Sequence, residues 1–289
     1  MQLLDGVKVS EEILKNIQSE VAARVQNNKK VPHLAAILVG EDVASQTYVA
    51  SKVKTCDYLG FKSTLSRLSP DTTEAELLAL IETYNADSDI DGILVQLPLP
   101  KHISEDKVIN TINPEKDVDG FHPTSIGKMV LGQDTFIPAT PNGIMMMLQH
   151  YGINTVGKHC VVIGRSNIVG TPMSLLMSRN TNPGNCTVTL THSKTKNLKE
   201  LCLEADIIVA AIGRPKYVTA DMVKDGAIIV DVGINRIEDA SKKSGFRLVG
   251  DVDFDTVKEK AGYITPVPGG VGKMTICALM QNTLKACKD

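Results

Sequence analysis

The stretch Val161-Val162-Ile163-Gly164-Arg165-Ser166-Asn167-Ile168-Val169-Gly170-Thr171-Pro172 constrains this chain most. A short apolar run ends in a glycine, crosses a polar turn and reaches a second glycine where a helix can begin. That is a strand-turn-helix junction whose backbone N–H groups can face an anion. It departs from G-x-G-x-x-G, because Ser166 takes the middle glycine position and Gly170 comes one residue late. Alone, the stretch fits a dinucleotide site and an ordinary tight β-α turn equally well.

Further apolar runs of strand length recur along the chain: Leu34–Val39 before Gly40, Ile93–Val95 before Gln96, Ile207–Ala210 before Gly213, and Ala227–Val230 before Gly233. Strands ending in glycine-containing or small polar loops, with helical patterns between them, argue for α/β sheets rather than a bundle. Ile93–Val95 reads as a central strand covered on both faces. Among the helices, Ser10 is a plausible cap for the apolar stripe Ile13, Ile17 and Val21. Ala44–Leu59 is closed by Gly60, Thr73 with Glu76 forms a capping box, and Thr140 with Pro141 opens a helix. The 289 residues, 43% hydrophobic, suffice for two domains of moderate size. A last helix over 275–285 is expected to pack back on the first part. The expected architecture is two α/β domains around a cleft, residues 1–139 with 271–289 as one and 140–270 as the other, a Rossmann-like domain.

A formal net charge of -2 gives no general attraction for nucleic acid or an anionic membrane, so any anion site must be local. The six cysteines are scattered without C-x-x-C or zinc spacing, and no metal is expected. No signal peptide or bilayer-spanning run is apparent, which points to the cytoplasm.

Three polar features sit where the first sheet should open. Tyr48 and Lys52 are four apart and share a helix face, so an aromatic ring beside an ammonium can serve a planar ligand. Spacing alone fits more simply a tyrosine packed at a helix edge with the lysine reaching for water. Gln96 stands at a strand's C-terminal end, where ligands bind in open sheets, and is otherwise a polar strand terminus. Asp119-Gly120 is a turn signal in its own right, and His122, before Pro123, reads as a loop residue rather than a base.

In the second half, the acidic residue that would hold a free ribose 2′-hydroxyl after the second strand is absent. His192, Ser193 and Lys194 stand there instead, and Arg165 lies in the first loop. Donors and positive charge suit a 2′-phosphate, which favours NADP over NAD; solvated loop residues are the alternative.

These motifs together resemble the bifunctional methylenetetrahydrofolate dehydrogenase/methenyltetrahydrofolate cyclohydrolase family. The resemblance spans nearly the whole chain. It rests on the ordered set Tyr48-Val49-Ala50-Ser51-Lys52, Asp91–Pro100, Pro114–Gly120, Gly164–Gly170, His192-Ser193-Lys194-Thr195 and Thr265–Gly272. It implies NADP-dependent oxidation of 5,10-methylenetetrahydrofolate and hydrolysis of the methenyl product to 10-formyltetrahydrofolate. By the same resemblance Tyr48 stacks on the pterin, Lys52 is the central catalytic group, Gln96 orients it and Asp119 binds the amide-like edge of the pterin. Arg165 and Ser193 read the 2′-phosphate, while Gly164, Ser166 and Ile234 help hold the dinucleotide. Pro268, Gly269 and Gly270 border the folate, and the implied assembly is a homodimer. Lys273 and Ala139 depart from the family pattern, which usually has Pro and often Cys there.

For hydrolysis, Lys52 must be partly neutral, a state that a cationic substrate or Lys54 would favour. The other readings are a different two-domain NADP-dependent dehydrogenase and a folate-binding protein without turnover.

Overall fold

The computed structural model describes residues 1–242 and 245–288. The chain runs β1 (Gln2–Leu3), α1 (Gly6–Gln26), β2 (His33–Val39), α2 (Val43–Leu59), β3 (Lys62–Leu68), α3 (Glu74–Ala86), β4 (Gly92–Val95), α4 (Glu105–Thr111) and α5 (Pro123–Val130). It continues through α6 (Ala139–His150), β5 (His159–Ile163), α7 (Gly170–Ser178), β6 (Thr187–Thr191), α8 (Leu198–Glu204), β7 (Ile207–Ala210) and β8 (Ile228–Asp231). The closing elements are β9 (Asn235–Glu238), β10 (Phe246–Val249), α9 (Phe254–Val257), β11 (Tyr263–Ile264) and α10 (Val271–Ala286). No helix of the described residues is long and apolar enough to cross a membrane.

Two compact units result: Glu12–Ala139 with Ile276–Asp289, and Met1–Glu11 with Thr140–Thr275. The expected division kept residues 1–139 together; the first eleven instead belong with the second unit. Their reason is β1, which pairs parallel with β11 through Gln2↔Tyr263 and Leu3↔Ile264. A two-residue strand carries no periodicity, so nothing in the sequence signals that pairing.

The first unit is built on a parallel sheet of order β3-β2-β4. Its centre is β2, buried along its whole length, as an uninterrupted apolar run requires. Ala35, Ile37 and Val39 on one face pack with Leu77 and Ile81 of α3 and Val108 of α4. β4 is not central as expected. It lies at the sheet edge, but Ile93 N donates to Lys116 O at 2.8 Å and bridges Asp117, so the outer edge is covered by the segment leading to Asp119.

The second unit carries a parallel sheet of order β1-β11-β8-β7-β5-β6 and a separate antiparallel β10-β9 ribbon. The chain reverses direction across the sheet at β5, which has β6 on one side and β7 on the other. Such a switch point opens a crevice beyond the strand ends, and the Gly164 loop leaves β5 there. Val161, Ile163, Ile208, Ala210, Ile229 and Ile264 form the core beneath it.

Helix starts differ from expectation in two places. α1 begins at Gly6, not after Ser10: Asp5 Oδ1 accepts from Val7 N at 2.9 Å, and buried Ser10 donates to Val7 O. α6 begins at Ala139, and the Thr140 hydroxyl bonds Thr275 at 2.9 Å rather than capping. The Thr73–Glu76 capping box and the left-handed Gly60 stop are both present.

Candidate functional site

Helix α2 presents Lys52 because both of its ends are fixed. The Asp42 side chain accepts from Ser45 N at 2.7 Å, and Gly60, at φ 77°, ends the helix. Lys52 is 7% exposed, and its Nζ donates to Gln96 Oε1 at 2.9 Å. The Gln96 amide is itself held: Nε2 donates to Leu97 O at 2.7 Å, and its backbone N donates to Ile37 O at 2.9 Å. With the amide nitrogen occupied, the oxygen faces the lysine. Lys52 therefore does not reach for water.

Burial lowers the Lys52 pKa, and the negative charge of Asp119 opposes that lowering. Burial likewise pushes the Asp119 carboxyl up to about 6, with Lys52 drawing it down and Asp117 adding to the rise. Both shifts favour the neutral form of the group, and burial is the first cause of each. The exposed Lys54 is not a cause of the lysine's shift. Tyr48, half-buried one turn before Lys52, has its phenol pKa raised by burial. It stays a neutral ring.

The Asp119 loop is tied from two sides by residues the motif reading passes over. Asp117, 2% exposed, accepts from Ser125 Oγ at 2.7 Å, His122 N at 2.8 Å and Phe121 N at 3.2 Å. Asn282 of α10, also buried, donates from Nδ2 to Val118 O at 2.8 Å and Ile137 O at 3.0 Å. Gly120, at φ 74°, makes the turn, and a Cβ there would lie 2.7 Å from the Ile137 carbonyl carbon. His122 is a helix cap: its Nδ1 accepts from Thr124 N at 3.0 Å at the start of α5.

In the second unit, Gly164 and Gly170 are required by contact. A Cβ on Gly164 would sit 2.2 Å from Ala211 O, and one on Gly170 would sit 1.9 Å from Gly164 O. The glycines thus let β5, the loop after β7 and the start of α7 close together. A cavity of about 510 Å³ opens at this point, lined by Gly164, Arg165, His192, Ser193, Ile212, Arg214 and Tyr217 among others. Its lining carries cations and donors and no carboxylate side chain, which fits a phosphorylated dinucleotide.

The structure brings Gly164, Arg165 and Ser193 to this cavity. Ser166 lies outside the lining and turns to its own helix, its Oγ accepting from Val169 N at 3.2 Å. Ile234 is also outside the lining; it is 41% exposed and neighbours Gly272. Gly270 packs against the start of α1, where a Cβ on Gly6 would lie 2.1 Å from Gly270 O. Gly269, at φ 103°, accepts from Val7 N at 3.2 Å. Pro268, Gly269 and Gly270 therefore belong to the second unit, whereas Tyr48, Lys52, Gln96 and Asp119 belong to the first.

A doubly wound sheet with a cationic cavity at its switch point defines a class, the nucleotide-dependent dehydrogenases, and the other unit adds a buried lysine held by an amide. Residues 4–119 match the family model of the tetrahydrofolate dehydrogenase/cyclohydrolase catalytic domain, and residues 138–289 match that of its NAD(P)-binding domain. The chain belongs to the tetrahydrofolate dehydrogenase/cyclohydrolase family. It is 63% identical over 286 residues to the bifunctional protein FolD of Cytophaga hutchinsonii, with 99% of each chain covered. A crystal structure of the bifunctional enzyme FolD from Campylobacter jejuni matches with a TM-score of 0.92 at 47% identity, covering 99% of this chain and 98% of that one. The Trypanosoma brucei FolD, solved with NADP cofactor and an inhibitor, matches with a TM-score of 0.92 at 36% identity, covering 98% and 95%.

Proposed function

We propose that Lys52 is the proton-transfer group of the hydrolytic step, that Gln96 orients it, and that Tyr48 and Asp119 hold the pterin. The chain is a bifunctional enzyme. It oxidises 5,10-methylenetetrahydrofolate with NADP and hydrolyses the methenyl product to 10-formyltetrahydrofolate, as its full-length similarity to FolD proteins supports.

NADP, when bound, supplies the hydride acceptor. The folate nitrogens supply the electron push, so the protein's part in oxidation is alignment and exclusion of water. The Tyr48 ring and the Asp119 carboxyl serve that end for the pterin, with Pro268, Gly269 and Gly270 bordering the folate. Gly164, Arg165, Ser166, Ser193 and Ile234 serve it for the dinucleotide.

Hydrolysis needs proton transfer. Neutral Lys52 takes a proton as water adds to the methenyl carbon, and the resulting ammonium gives that proton to the folate nitrogen released as the C–N bond opens. The amine, neutral again, takes the hydroxyl proton of the adduct as the formyl C=O forms and passes it to solvent. Gln96 holds the amine without supplying the negative charge that would keep it protonated. The single observation carrying this reading is the 2.9 Å contact from buried Lys52 to Gln96. The family resemblance further supports a cytoplasmic homodimer, and the six free, buried cysteines accord with a reducing compartment.

The test is Lys52→Met in the purified enzyme, with methenyl hydrolysis, NADPH formation and folate binding measured separately. Hydrolysis should fall to near background while folate still binds. Full hydrolysis in that variant removes the role assigned to Lys52.

A further inference from the structure

Arg214 ends the loop that follows β7 and lines the same cavity as Arg165 and Ser193. The loop is built by a carboxylate. The backbone N–H groups of Ile212, Gly213 and Arg214 donate to the two oxygens of Asp251 at 2.7, 2.9 and 2.8 Å. Asp251 is fully buried and also accepts from Asn235 Nδ2 at 2.9 Å. A second buried carboxylate, Asp231, accepts from the backbone N–H groups of Asp251 and Val252 at 2.8 and 2.9 Å, fixing the first.

Three consecutive N–H groups committed to Asp251 are not free to bind a phosphate. What the loop offers instead is the side chain at its end. The Arg214 guanidinium lies 5.3 Å from the centre of the Tyr217 ring, and no ion pair to it forms among the described residues. An arginine laid on an aromatic face keeps its N–H edge for planar recognition of an oxyanion. Arg165 reaches the same cavity from the β5 loop, so two guanidinium groups meet a lining that contains no carboxylate side chain.

We propose that Arg214, stacked on Tyr217, is a second cation that reads the 2′-phosphate of NADP, and that Asp251 is the positioning residue that builds its loop. This rests on the NADP reading above and extends it to a loop outside the Gly164–Gly170 and Ser193 motifs. Each arginine supplies charge-assisted hydrogen bonds that an NAD-type ribose cannot accept as an anion.

The test is direct binding to the full-length protein of two fragments, 2′,5′-ADP and 5′-AMP, by calorimetry at two salt concentrations. Arg214→Met should weaken 2′,5′-ADP by about tenfold or more and 5′-AMP by less than about twofold, with a shallower salt dependence. Arg214→Lys should recover part of the loss. Asp251→Asn should lower the preference for 2′,5′-ADP, and that effect should vanish in the Arg214→Met background, which a merely structural role would not produce. If Asp251→Asn does not fold, the Arg214 variants decide alone. Equal losses for both fragments, or none for either, overturn the proposal. A wild-type protein that binds both fragments equally, with Arg165→Met also silent, instead overturns the NADP reading on which it rests.

Discussion

Lys52 Nζ and Gln96 Oε1 lie 2.9 Å apart, a neutral amide holding a buried amine whose pKa is lowered by that burial. The choice of amide over acid has a direct consequence. Gln96→Glu would place a carboxylate against Nζ and favour the ammonium, raising the lysine's pKa by about one to three pH units. The rising limb of the hydrolysis pH profile should move to higher pH by that amount, and hydrolysis measured on that limb should fall about tenfold for each pH unit of the move. Oxidation, which needs no proton from Lys52, should fall less. A pH–rate profile of both steps checks it, and an unmoved limb would falsify the base assignment.

Asp119 acts on the same amine in the opposite sense, since its charge opposes the lowering that burial imposes on Lys52. Asp119→Asn removes that opposition, so the hydrolysis limb should move to lower pH while the folate KM rises. The carboxyl also leaves a signature in stability. Its pKa is raised from 3.8 to about 6, so its contribution is fully present below 3.8 and is lost as pH rises through about 6. D119N lacks that loss. Its Tm relative to wild type should therefore improve between pH 4 and pH 7.5. A constant Tm difference across that range would count against the raised carboxyl.

The glycines of the nucleotide site differ in what they tolerate. Gly170→Ala forces a Cβ to within 1.9 Å of a backbone oxygen, and that oxygen belongs to Gly164, which lines the cavity. It should cost about 1–3 kcal/mol or more and weaken NADP binding by at least about tenfold. Gly213, at φ 64°, has open space around its missing Cβ. Gly213→Ala should cost only the left-handed penalty of about 1–2 kcal/mol and keep the Asp251 bonds, and with them most of the affinity. Thermal unfolding and NADP titration of the two variants separate the cases. Equal losses of affinity would show that close approach at Gly170 is not what shapes the loop.

Legibility in the sequence follows the physics of each residue. The parallel strands stand out because a strand buried on both faces must be apolar throughout, as Leu34–Val39 is. Lys52 and Tyr48 stand out through helical spacing, and Arg165 and Ser193 through the loops that a doubly wound sheet always offers. Asp117, Asp231 and Asp251 do not stand out. Asp231 ends β8 and Asp251 follows Gly250, and both accept N–H groups from segments distant in sequence, whereas Asp117 accepts from the turn that follows it. The edge position of β4 was hidden for a related reason: Lys116 and Asp117, not another strand, cover it. The Phe246–Val249 ribbon strand is exposed on both sides of its pleat, so no alternation marks it.

Asn282 gives the most specific test of how the Asp119 loop is held. Its side chain comes from α10 and bonds two carbonyls, Val118 O and Ile137 O, on the segments that flank Asp119 and Gly120. Asn282→Ala leaves both carbonyls without that donor in a buried place, at a cost of about 2–4 kcal/mol. Asn282→Asp is worse, because an ionised carboxylate would face two carbonyl oxygens, and it should regain stability as pH falls and the acid is protonated. In both variants the folate KM should rise several-fold while NADP affinity stays within about twofold, because no NADP contact is assigned to Asn282. Steady-state kinetics with each substrate varied, together with NADP titration, distinguishes this from general unfolding. A parallel loss of NADP affinity would show that Asn282 supports the fold as a whole and not the folate loop.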